Sequence, residues 1–192
     1  MSNLRDSLLT LEAYAKARPE MKKHIIAHRR LRSVRVGEVM NLQFEDEQTV
    51  RYQVQEMLRV EKIFEEQGIQ DEIDAYAPLI PDGGNWKATQ MLEYVDIEER
   101  KRQLARLVGI EDHTFVRVDG CMPVYAIADE DLDRETAEKT SSVHFLRFEF
   151  TAQMIAAMRS GVRVEVGCDH PNFTAHTAIP AATLKALLED FS

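Results

Sequence analysis

The segment TVRYQVQEMLRVEKIF (49–64) sets an amide, a carboxylate and a guanidinium, those of Gln55, Glu56 and Arg59, within little more than one turn of a helix. Val50, Val54, Met57, Leu58 and Phe64 recur at helical spacing and define a core-facing stripe, so Gln53, Gln55, Glu56, Arg59 and Glu61 crowd the remaining sides. A carboxylate beside a buried stripe needs a cation or several donors once water is withdrawn. Arg59 at i+3, or a histidine such as His144 or His170, answers that need. Two chemistries follow. An internal ion pair would fix the helix against the rest of the fold. An acid–base or metal-assisted centre would use Glu56, Arg59, His144 and His170, the catalytic candidates. Gln55, Glu56, Arg59 and Arg147 are the candidates for binding.

His144 lies in SSVHFLRFEF (141–150), where alternation puts it on one strand face with Leu146, Phe148 and Phe150, and Arg147 with Glu149 on the other. It reads first as a buried imidazole with a satisfied hydrogen bond, although a neighbouring carboxylate would equip it for proton transfer. His170 belongs to the turn DHPN (169–172), which Pro171 stiffens, and His176 follows on the outgoing strand. His24 and His28 are four apart on a predicted helix, a spacing metal sites use, with Glu56 or Glu61 as a third donor. No H-E-x-x-H accompanies them. Cys121 and Cys168 have no C-x-x-C partner, and G-x-S-x-G, P-loop and G-x-G-x-x-G motifs are absent. The spacing therefore predicts reduced thiols, no cofactor and no stoichiometric transition metal.

The net charge is −9, but residues 21–36 hold Lys22, Lys23, Arg29, Arg30, Arg32 and Arg35 and no acid, which leaves −15 on the rest. A basic run over 22–35 is a footprint for phosphate or nucleic acid. The favoured reading is internal: Glu45, Asp46 and Glu47, and the acids Glu61, Glu65, Glu66, Asp71, Glu72 and Asp74, offer counter-charges within the molecule. No stretch approaches the roughly 18 apolar residues of a membrane helix, and MSNLRDSLLTLEAY lacks the layout of a secretory signal. A cytoplasmic protein is expected.

Those groups must be positioned by an α+β fold. Helical spacing leads, with a break at Pro19, and SVRVGEVMNLQF suggests two short strands about Gly37. Asp46 caps the long helix, Gly68 ends it, and a short helix over 69–77 precedes a Pro- and Gly-rich loop. Beyond it come NWKATQMLEYV, a helix capped at Asp96, and a hairpin turning at Asp119-Gly120. A polar loop or helix over 132–140 separates these from the strand at 142–150. A helix capped by Thr151, the pair VRVEVGC and FTAHTAI, and a helix starting at Pro180 complete the chain. The sum is a single domain spanning 1–192, helical over residues 1–80 and sheet-rich over residues 81–192: N-terminal helices followed by a mostly antiparallel sheet of about six strands covered by helices.

The strings FEDEQTVRYQVQEMLRVEKI, DEIDAYAPLIP, KTSSVHFLRFEFT and HPNF resemble the bacterial domain-of-unknown-function family 3501 over nearly the whole chain. Its pattern falls on Thr49, Gln55, Glu56, Met57, Leu58, Arg59, Glu61, Pro81, His144, Arg147, His170 and Pro171. No activity comes with the resemblance. It implies a cytoplasmic redox or oxidative-stress setting, because members are encoded near rubrerythrin-like and iron–sulfur oxidoreductase proteins, which become the expected partners. The pair His24 and His28 departs from the pattern, which has Lys at the second position, and this weakens a metal site there. The sequence thus favours a non-enzymatic accessory or binding protein, with the small enzyme as alternative and phosphate or nucleic-acid binding as second alternative. Association with DNA or RNA is expected to be weak and to vanish by physiological salt, since few phosphate contacts survive counterion competition. Fluorescence anisotropy checks this; tight binding at that salt, reduced by Arg29→Ala and Arg30→Ala, would reverse it.

Overall fold

The computed structural model describes residues 4–130 and 139–192. Helix α1 (Leu11–Leu31) starts at Thr10, whose hydroxyl accepts the Ala13 N–H. Pro19 does not break it. A proline inside a helix forfeits a hydrogen bond and crowds the preceding turn, and here buried Tyr14 and Ile25, on either side of it, anchor one continuous helix. Strands β1 (Ser33–Val36) and β2 (Met40–Phe44) form a hairpin through Gly37, whose φ of 62° favours glycine. Helix α2 (Glu47–Glu61) opens on a reciprocal box: the Asp46 carboxylate accepts the Thr49 N–H and the Thr49 hydroxyl accepts the Asp46 N–H.

The end of α2 differs from expectation. Lys62, left-handed at φ 58°, terminates it, and Gly68 lies inside α3 (Glu66–Tyr76). The Lys62 and Ile63 N–H groups both close on the Leu58 carbonyl, so the chain turns away early. Phe64 therefore falls past the stripe and is 74% exposed, whereas Val50, Val54 and Leu58 pack with Leu4 and Ile73 into a small second core.

The remaining elements are β3 (Asn85–Leu92), α4 (Ile97–Arg106), β4 (Thr114–Val118), β5 (Val124–Tyr125), β6 (Ile127–Ala128), β7 (Val143–Glu149), α5 (Ala152–Arg159), β8 (Val164–His170), β9 (Phe173–Ala178) and α6 (Ala181–Leu187). They make two antiparallel sheets, ordered β1-β2-β3-β7-β6 and β5-β4-β8-β9. The class is α+β, with nine strands among the described residues rather than about six. One of the additional strands arises because the segment after Pro123 divides: Val124 and Tyr125 pair with β4, Ile127 and Ala128 pair with β7, and Ala126 between them donates to the Thr114 carbonyl. Most of the polar segment expected at 132–140 lies outside the described residues. No described helix is long and apolar enough to cross a membrane.

The inward faces of the sheets share one core, and its composition changes along the strands. Trp86 stands opposite Phe148 and Ala88 opposite Leu146, but the next inward pair is Gln90 and His144, with the buried Thr114–Cys168 pair on the other sheet. At the apolar end Trp86 packs against Phe44, Phe150 and Phe191 and donates its indole N–H to the Leu187 carbonyl, tying the sheet to α6.

Arg32, 2% exposed, ties the helices to that sheet. Its guanidinium donates to the carbonyls of Phe44, Glu45 and Ala186 and pairs with Asp190 at 2.5 Å, with Asp46 at 3.4 Å. Replacing it by Met strands the buried Asp190 and three carbonyls, and a stability loss of about 3–5 kcal/mol in urea denaturation is the expected outcome.

Candidate functional site

The predicted site residues resolve into separate networks. Glu56, at the junction of α1 and α2, takes both ends of the Arg18 guanidinium, at 2.7 and 2.9 Å, together with the Tyr14 hydroxyl and Arg59 at 3.2 Å. The Arg18 guanidinium holds its carboxyl down at about 2, against the opposing effect of burial and with help from Tyr14 and Arg59. Burial, reinforced by this carboxylate, raises the Tyr14 phenol. Gln55 is buried and holds the chain entering α1, accepting the Leu9 N–H at 2.8 Å and donating to the Leu9 carbonyl at 3.1 Å. Both residues, read as binding groups, have intramolecular partners. Tyr14 and Arg18 were legible only as an i, i+4 pair on α1.

Arg147 faces away from the core and pairs with Glu130 and Glu149. His170, 5% exposed, meets the Val108 carbonyl and accepts the Asn172 N–H, which fixes the turn into β9. His113 packs edge-on against it and pairs with Asp169, which also accepts the Tyr125 hydroxyl; that hydroxyl, then His113, lowers the Asp169 carboxyl. His24 is exposed, whereas His28 meets Asp46 at 2.6 Å, so Glu56 and Glu61 do not complete a shared set with them. Cys121 and Cys168 are free thiols, and burial pushes Cys168 up to about 11.

The basic run finds counter-charges inside the molecule, at Asp46 as the spacing suggested and otherwise at acids outside the two groups expected. Lys23 pairs with Glu20, Arg32 with Asp46 and Asp190, and Arg35 with Glu93. Of the acids at 61–74, Glu66 pairs with Arg5 of the N-terminal turn, while Asp71 and Asp74 accept from Gln67 and Gln70.

Two arrangements remain that sequence reasoning missed. A cleft of about 820 Å³ opens between α1, the start of α2 and α6, lined among others by His28, Asp46, Arg51, Lys185 and Asp190. Burial pushes the Asp190 carboxyl up to about 6 in spite of Arg32. Arg51 and Lys185 form no ion pair among the described residues. The second arrangement is internal. His144, 0% exposed, has Nδ1 2.6 Å from Asp129 and Nε2 2.8 Å from the Thr140 hydroxyl, while Glu111 stands 3.6 Å from Nε2. Donor atoms of Glu111, Asp129 and His144 all lie within 4.8 Å of one another, so this group could hold a metal ion. Strand alternation made His144 visible. Glu111 and Asp129 are ordinary acids in irregular segments and carry no periodic signal.

Fold and site together define a helix-covered, two-sheet α+β protein with a charged cleft and a buried polar cluster. The family model described as Protein of unknown function (DUF3501) matches residues 4–191, and the chain belongs to that family. It is also similar to a protein of Burkholderia pseudomallei K96243, described as a novel protein of unknown function, whose crystal structure aligns over 100% of both chains at 54% identity and a TM-score of 0.95. No curated protein matches the sequence.

The Glu56 network has a signed pH dependence. Its carboxyl falls from 4.5 when unfolded to about 2 when folded, so its contribution is complete above about 4.5 and lost as pH drops toward 2. Glu56→Gln should lower stability at pH 7 by about 1–3 kcal/mol and flatten the acid limb between those values, measured by urea denaturation across pH.

Proposed function

We infer that this protein is a non-enzymatic binding protein of a cytoplasmic, redox-linked assembly, and that the cleft beside Arg51 and Lys185 receives an acidic segment of its partner. The observation that carries this reading is separation. Glu56 with Arg59, His144, and His170 lie in three hydrogen-bond networks that share no residue, whereas an acid–base centre needs its groups within hydrogen-bond or one-water reach. The alternative enzyme built from those four residues loses its support accordingly. The partial neutralisation of the basic run by Glu20, Asp46, Glu93 and Asp190 likewise favours a protein partner over nucleic acid.

The redox setting rests on the family resemblance, which implies rubrerythrin-like or iron–sulfur oxidoreductase partners. The lining is of mixed charge: Asp46, Glu47, Glu189 and Asp190 stand beside Arg51 and Lys185, and these two cations, which form no ion pair among the described residues, supply the groups that would hold an acidic segment and fix its register. The test is biolayer interferometry of the purified protein against a rubrerythrin-like protein and an iron–sulfur oxidoreductase of the same organism. Binding to one of them should weaken at least about tenfold on the double change Arg51→Glu and Lys185→Glu, and should weaken with salt. Binding to neither, or binding indifferent to the charge reversal, would overturn the reading.

A further inference from the structure

We propose that His144, Glu111 and Thr140 hold a divalent first-row transition ion, with Asp129 as the positioning residue that orients the histidine. The argument is independent of the cleft. It starts from a triangle of donor atoms: His144 Nε2 to Thr140 Oγ1 is 2.8 Å, Thr140 Oγ1 to Glu111 Oε2 is 3.4 Å, and Glu111 Oε2 to His144 Nε2 is 3.6 Å. Donors that each stand about 2.0–2.2 Å from one ion lie roughly 3 to 3.6 Å from one another. One ion seated just off this triangle reaches all three. The Ser141 carbonyl, 3.1 Å from Nε2, adds a further oxygen at the same point.

The other side of the ring carries the usual support of a metal-bound imidazole. Asp129 Oδ2 stands 2.6 Å from Nδ1, and Asp129 is itself fixed because its second oxygen accepts the Phe145 N–H and its own N–H donates to the Phe145 carbonyl. A carboxylate there draws the ring proton to Nδ1 and turns the Nε2 lone pair toward Glu111 and Thr140. Metal-ligating histidines are oriented in this way. Nε2 then faces oxygens of Thr140, Ser141 and Glu111, and a cation placed there meets that lone pair and those oxygens together.

Gln90 supplies an observation of a different kind. It is 0% exposed, stands opposite His144 in the β3–β7 register, and lies 2.7 Å from the Thr114 hydroxyl. Its Nε2 has no hydrogen-bond partner among the described residues. The Thr114 hydroxyl owns one proton and also stands 3.1 Å from the Ile110 carbonyl. Giving that proton to Ile110 and turning the Gln90 amide over lets the NH₂ group donate to Thr114, which brings the amide oxygen to the unpartnered position. That leaves a buried amide oxygen, at the register position opposite His144, without a partner among the described residues.

One imidazole nitrogen among oxygen donors, with no thiolate, suits Mn²⁺, Fe²⁺ or Zn²⁺ rather than Cu⁺. The local spacing of His24, His28 and the cysteines spoke against a metal because it searched single elements. These donors come from three segments, the turn before β4, the residues just before β7, and β7 itself.

Metal-stripped full-length protein, titrated with Mn²⁺, with Fe²⁺ under argon, with Zn²⁺ and with Mg²⁺, tests the site by equilibrium dialysis and elemental analysis. One transition ion per chain is expected, bound more tightly than Mg²⁺. Glu111→Gln and Thr140→Val should each weaken it about tenfold or more, Asp129→Asn by roughly 10–100-fold, and His24→Ala should leave it unchanged. Because a buried substitution can unfold the chain, X-ray absorption at the edge of the bound ion in the wild type decides independently: one imidazole and oxygen donors are expected. Folded wild type that takes up none of the three transition ions overturns the proposal. So does a shell with sulfur or without imidazole, or an ion that His24→Ala removes and Glu111→Gln leaves in place.

Discussion

A guanidinium withdrawn from water must have its donors matched, because an unmet charge in the interior costs several kcal/mol. Arg32 meets that demand by drawing four elements to one point. It belongs to the C-terminal cap of α1, its carbonyl partners Phe44 and Glu45 end β2, Asp46 caps α2, and Ala186 and Asp190 come from α6 and the turn after it. The N-terminal helices and the C-terminal helix are joined here by polar bonds with defined directions. Asp46 couples the same point outward, since one oxygen caps α2 and the other meets His28 at the wall of the charged cleft. The cleft therefore lies against this junction, with Arg51 and Lys185 also in its lining.

The core distributes its chemistry along the strands. Aromatic rings about Trp86 fill one end, where burial of apolar area is the dominant stabilising term. At the other end the inward positions hold Gln90, Thr114, Thr140 and His144, all buried. Buried polar groups lower stability unless each finds a partner. A dense set of them at one end of a core, with one amide nitrogen lacking a partner among the described residues, is an arrangement that packing alone does not favour.

The same residue types play different parts in the two networks. Glu56 lies between two helices, with Arg18, Arg59 and Tyr14 around it, and its low proton affinity reports an ion pair that locks α2 to α1. His144 lies inside a sheet core, with Asp129 on one ring nitrogen and oxygens of Thr140, Ser141 and Glu111 about the other. Position relative to water, and the identity of the neighbours, separate a structural carboxylate from a group of potential metal donors.

The α+β class, the caps at Asp46 and Thr151, the Gly37 hairpin and the inward face of β7 with His144 on it were legible in the sequence, because each follows from periodicity of 3.6 or 2 or from local backbone chemistry. The family was legible too, through strings whose positions need no structure to align. The end of α2 and the continuity of α1 through Pro19 were not, since a left-handed Lys62 and a proline tolerated inside a packed helix depend on what the neighbouring elements hold in place. Residue type and spacing placed Gln55, Glu56, Arg59, His144 and His170 in one list. Packing between elements divided it, setting Glu56 against Arg18, His170 against Val108 and His144 against Asp129, Thr140 and Glu111. Residues 111, 129 and 144 meet through strand pairing and chain reversal between two sheets, and the distance between side chains on different elements leaves no trace in local spacing.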